Sequence, residues 1–140
     1  MNEILLELLK IAKDNQISVI WTKKFLDEMP PVALIRQKTI IMNSNWPQKN
    51  EIIFQLAHEL AHFLKNEPYY PALYQTGNSN LLKIEAQINR FAIKILLTIY
   101  FNNFSAENLD PENLLKSFGI PAQCTASFYQ VLFEFLKLPN

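Results

Sequence analysis

Apolar residues in the first fourteen positions, MNEILLELLKIAKD, recur every three or four places with charges between them, the spacing of an amphipathic helix. The period then shortens. ISVIW (17–21) and the pair VALIRQ and KTIIMN (32–43) are short, rich in β-branched residues and partly alternating. They predict three half-buried strands in one small sheet, with Met29-Pro30-Pro31 between the first strand and the other two. KTIIMN is expected to lie beside the next helix as an edge strand, where an extended peptide can pair with it.

From about Pro47 the pattern turns helical, with Ile53, Leu56, Ala57, Leu60 and Leu64 on one stripe. NEPYYPALYQTGNSN (66–80) breaks that period and is long for a structureless connection, a common property of functional loops. A second helix is predicted from about Leu81 to Tyr100, its stripe formed by Ile84, Ile88, Phe91, Ile95 and Ile99. Asp110-Pro111 has the cap and first-turn signature of a third helix, ended by Gly119, and Pro121 opens a last one reaching about Leu136. The expected class is α+β: a small three-stranded sheet packed on the helix of residues 47–64, with additional helices around it.

Composition narrows the picture by exclusion. At 140 residues the chain suits one domain, 1–140. Thirteen basic and thirteen acidic residues cancel, so no global field draws it to nucleic acid or an anionic membrane. Cys124 is the one cysteine, which rules out an internal disulfide framework and any cysteine-rich zinc cluster. Glu3 and Glu7 stand where a signal peptide is basic, and no apolar run approaches the roughly 20 residues that span a bilayer. A cytoplasmic setting is expected.

The chemistry gathers in AHELAH (57–62), which holds both histidines of the chain, His58 and His62. On a helix, side chains four apart share a face, so both imidazoles can aim at one point. Measured from the apolar stripe, they point about 140° and 180° away from the core. Tetrahedral zinc accepts such a pair, takes one more protein ligand and keeps a fourth position for water. Glu59, turned about 100° around the helix, suits a general base. The bland alternative is a pair of exposed histidines that happen to be neighbours, although chance supplies HExxH only about once in a thousand such chains. The third ligand has to be Asp, Glu or Cys. Glu85, at the border of its helix's apolar stripe, is the best candidate, with Asn89 one turn on; Cys124 competes, though a lone cysteine is commonly a small core residue.

The succession KTIIMNSN, LAHELAHFL and EAQINRFAIKILL resembles the ImmA/IrrE family of HExxH metallopeptidase-like proteins over roughly residues 30–100. In that family a strand ending in Asn precedes the HExxH helix, and a later helix bears E-x-x-[AG]-N-x-F-A. The resemblance implies a zincin-like, gluzincin-type fold with one Zn²⁺ held by His58, His62 and Glu85, and Glu59 as the catalytic carboxylate. Mn²⁺ or another divalent ion is the alternative metal. This chain departs from the pattern at Ala61 (usually Gly), Ile88 (usually Ala) and Leu96-Leu97-Thr98-Ile99 (commonly Leu-Leu-Met-Pro).

The activity so implied is a zinc metallopeptidase acting on a specific protein, such as the helix-turn-helix repressor of a prophage or mobile element. Developing charge on the scissile carbonyl needs a donor, for which Tyr69, Tyr70, Tyr74, Tyr100, Arg90 or backbone N–H groups are candidates. A metal-binding but catalytically idle protein that regulates a repressor by binding it is the second reading. A DNA-binding helix-turn-helix in PENLLKSFGIPAQCTASFYQVLFEFL is the third. There Glu107, Asp110, Glu112 and Glu134 outnumber Lys116 and Lys137, where phosphate contact requires a positive face. No direct nucleic-acid or membrane partner is expected.

Overall fold

The computed structural model describes residues 2–65 and 78–137. Among them the chain forms α1 (Asn2–Asp14), β1 (Ser18–Thr22), β2 (Val32–Leu34), β3 (Thr39–Asn43), α2 (Glu51–Leu64), α3 (Asn78–Asn103), α4 (Pro111–Phe118), a 3₁₀ turn (Ala122–Cys124) and α5 (Thr125–Lys137). The class is α+β, with one three-stranded sheet and five helices among the described residues.

The sheet order is β1-β3-β2, with β1 parallel and β2 antiparallel to β3. This corrects the expectation for KTIIMN. β3 is the central strand, paired along its whole length with β1 and from Thr39 to Ile41 with β2. Its burial explains that place: Ile40 and Met42 alternate inward and are fully buried, while the apolar Ile20 and Trp21 of β1 are exposed. β2, three residues long, carries an outer edge with no partner strand among the described residues.

α2 begins at Glu51, later than the sequence suggests, because Pro47–Asn50 makes a turn in which Gln48 O and Lys49 O accept from Glu51 N and Ile52 N. Ile53, Phe54, Leu56, Ala57, Leu60 and Ala61 are buried, so the predicted core stripe holds except at Leu64, which is half-buried, and Phe54 and Ala61 widen it on one side. α3 differs more. Its fully buried residues are Ile88, Ala92, Ile93, Leu96 and Leu97, while Ile84, Phe91 and Ile95 are half-buried. The cause is that α1, α2 and α5 all pack on this 26-residue helix, so it is covered from several sides rather than along one stripe.

The C-terminal helices follow their end signals. Asp110 accepts from Asn113 N at 3.3 Å, Pro111 opens α4, and Gly119 closes it in the left-handed region at φ 69°. Leu114 and Phe118 of α4 and Phe128, Val131 and Leu132 of α5 enter the core. Among the described residues, no helix is long and apolar enough to cross a membrane.

Candidate metal centre

α2 turns its core stripe toward the sheet and helices, which leaves the His58, Glu59 and His62 side facing α3 and a cleft. α3 brings Glu85 to that side. His58 Nε2 lies 3.2 Å from Glu85 Oε2, His62 Nε2 lies 3.7 Å from Glu85 Oε1, and the two Nε2 atoms are 3.3 Å apart. The side chains are 19%, 20% and 34% exposed for His58, His62 and Glu85, so they are sheltered yet reachable.

These separations bear on metal binding. Ligand atoms around tetrahedral zinc, at bond lengths of about 2.0–2.2 Å, stand about 3.3–3.6 Å from one another. The tautomer points the same way. Asn89 Oδ1 lies 2.7 Å from His58 Nδ1, and an amide oxygen only accepts, so Nδ1 carries the proton and donates. The Nε2 lone pair of a neutral His58 then faces His62 Nε2 and the Glu85 carboxylate. Three electron-rich atoms this close repel unless a positive charge sits among them, and two imidazoles with one carboxylate are a donor set that zinc accepts. Among the described residues, this trio is the group of His, Cys, Asp or Glu side chains able to share an ion.

Titration reflects the same crowding. For His58, burial opposes protonation, but the Glu85 hydrogen bond, the Glu59 and Glu85 charges and the Asn89 amide together raise it above 6.5. Glu85 is lowered, chiefly by the hydrogen bond from His58, with burial working against it. Burial pushes Glu59 up from 4.5 to about 7, the His58 charge opposing and the Glu85 charge assisting. A carboxyl so placed can take and release a proton near neutral pH.

A cavity of about 580 Å³ opens beside two of the trio, His58 and Glu85. Glu59, His58, Glu85 and Asn89 line it together with Pro30, Pro31, Phe54, Leu82 and Pro121. This is the size of a binding cleft, mostly apolar with a few convergent polar groups. Gln55 also lines it, one turn before Glu59 on the same helix face, a position the sequence reading passed over although its i−4 spacing to Glu59 was visible. The prolines and the residues from the α4–α5 region carried no such signal.

Other expected residues lie elsewhere. Tyr69, Tyr70 and Tyr74 fall outside the described residues. Tyr100 is on α3, fifteen residues and about 22 Å along the helix from Glu85. Its ring packs 5.1 Å from Phe104, 5.3 Å from Phe101 and 6.3 Å from Phe118, an aromatic cluster away from the cavity. Arg90 is committed to α5, with Nη2 2.6 Å from Glu134 Oε1 and Nη1 3.1 Å from Gln130 Oε1. Cys124 lines the cavity but is outside the metal-competent trio, and burial raises its thiol, which keeps it a protonated core residue.

Comparison with known proteins agrees with this geometry. Neither the curated proteins nor the solved structures gave a match. The model of peptidase family M78, described as the IrrE N-terminal-like domain, matches residues 19–137 and so spans the sheet, the trio and the C-terminal helices. The chain belongs to the IrrE N-terminal-like family of metallopeptidase-like proteins.

Proposed function

We propose that the protein is a zinc-dependent metallopeptidase of gluzincin type that cleaves a specific protein, such as the helix-turn-helix repressor of a prophage or mobile element. The observation that carries this reading is the convergence of His58 Nε2, His62 Nε2 and a Glu85 carboxylate from a second helix, beside a half-buried Glu59 in an open cleft. A bound divalent cation supplies Lewis acidity and lowers the pKa of water from 15.7 to about 7.

The chain's own residues do the rest. Asn89 holds the His58 ring so that Nε2 faces inward. Glu59 accepts the proton of the attacking water and delivers it to the departing amine nitrogen, a transfer suited to a carboxyl that titrates near 7. The free edge of β2, which follows directly on the cavity-lining Pro30 and Pro31, is the strand on which an extended substrate segment aligns. Association with a repressor and a cytoplasmic setting are part of the same proposal, which the family membership supports.

The test is incubation of the zinc-loaded protein with candidate repressors and sequencing of the product termini, in parallel with Glu59→Gln. Cleavage by the wild type and intact substrate with the variant support the reading. Derepression in cells that persists with Glu59→Gln shifts the function to repressor binding.

A further inference from the structure

Asn43 is the one fully buried polar side chain among the described residues, 1% exposed at the end of β3. Its amide nitrogen is directed at the segment between β1 and β2. Its Nδ2 donates to Leu26 O at 2.7 Å and Met29 O at 2.9 Å, with Asp27 O at 3.4 Å, while Oδ1 accepts from Asn45 N at 2.8 Å. Asn45 continues the clasp, its Nδ2 donating to Lys23 O at 2.7 Å and Phe25 O at 2.8 Å. Two amides thus satisfy the carbonyls of a loop that has no regular partner strand.

That loop runs directly into Pro30 and Pro31, which line the cavity beside His58, Glu59 and Glu85. Its position matters for what the cavity admits. Leu82, 67% exposed, lines the same cavity from α3, and Phe54, Ala86 and Pro121 complete an apolar surface. Leu26 and Met29 are held outward by the clasp, with Leu26 82% exposed. An apolar wall that is left open to water beside a polar trio fits a ligand with both characters.

We propose that Asn43 and Asn45 are positioning residues that fix Pro30-Pro31 as one wall of the cleft, and that this wall selects substrate segments bearing a bulky apolar side chain next to the bond presented to Glu59. The inference rests on the metallopeptidase reading and adds the specificity of its cleft. Polar or charged side chains at that position gain nothing from Pro30, Pro31, Leu82 and Phe54 and lose their hydration, so they are disfavoured.

The test uses two probes on the zinc-loaded protein, leucine hydroxamate and acetohydroxamate, which share the metal-binding head and differ in the side chain. Affinities are measured by calorimetry for the wild type, Asn43→Asp and Asn45→Ala. The wild type is expected to bind leucine hydroxamate about tenfold or more tightly than acetohydroxamate. Asn43→Asp loses the Nδ2 donor and should bring that ratio near one with acetohydroxamate affinity unchanged; Asn45→Ala, in a less buried position, should lower it partway. Hydrogen exchange of residues 23–34 should quicken in both variants while α2 stays protected. A clasp that only stabilises the fold lowers the melting temperature and leaves the ratio intact, which overturns the inference. Equal wild-type affinity for the two probes also overturns it, with the metallopeptidase reading left standing. Failure of the zinc-supplied wild type to bind either probe defeats that reading and this inference together.

Discussion

Asn89 Oδ1 accepts from His58 Nδ1 at 2.7 Å, and this one contact decides which nitrogen of His58 faces the other ligands. The bond links α3 to α2 one turn beyond Glu85, so a single helix supplies both a candidate ligand and the group that orients another. Removing such a partner typically costs about 10–100-fold in metal affinity. Asn89→Ala is therefore expected to weaken zinc binding by that factor in a chelator competition, with the far-ultraviolet circular dichroism of the wild type.

Glu59 predicts a distinctive pH response in the metal-free protein. Its carboxyl, at 4.5 when unfolded and about 7 when folded, binds a proton more readily in the native state. Stability from this group is complete below about 4.5 and is lost as pH rises to about 7, a change of at most about 3 kcal/mol. The raised His58 acts in the same direction and the lowered Glu85 in the opposite one, so the wild-type profile alone mixes them. The difference between Glu59→Gln and wild type isolates the residue. In urea titrations the two should match near pH 4.5, and the variant should be the more stable at pH 8.

Zinc should stabilise the fold through its three ligands. A ligand at about 100 times its dissociation constant adds about 2.7 kcal/mol to a native state that alone binds it. The wild type is expected to melt at a higher temperature with added zinc and to return to its metal-free value with a chelator. His62→Ala and Glu85→Gln should show little zinc-dependent shift.

Gly119 makes a prediction about the scaffold. It caps α4 at φ 69°, and a Cβ there meets Glu51 Cα at 2.5 Å and overlaps Asn50 O at the start of α2. Both backbones would have to move. Gly119→Ala should cost more than the usual left-handed penalty of about 1 kcal/mol, on the order of 3 kcal/mol in denaturant titrations.

The site was legible where it depends on helix period and opaque where it depends on distant pairing. His58 and His62 share a face by spacing alone, with Glu59 about 100° round the helix, and Glu85 at a stripe border was recognisable as a residue able to turn toward a partner helix. Tyr100 illustrates the limit, because chemistry-bearing residues fifteen places apart on one helix lie about 22 Å apart and cannot serve one centre. Strand order was hidden for a different reason. β3 follows β2 in sequence yet sits between β2 and β1, a choice made by long-range burial of Ile40 and Met42. The Asn43 clasp was equally out of reach, since an asparagine after a strand gives no sign that it spans 14 to 17 residues back to loop carbonyls.

The most direct test of the account is the metal content of the purified, zinc-supplied protein, measured by mass spectrometry beside His58→Ala, His62→Ala and Glu85→Gln. One ion per wild-type chain, lost or weakened at least tenfold in each variant, is the predicted result. A wild-type chain without metal, or a Glu85→Gln chain that holds its ion as firmly as the wild type, contradicts it.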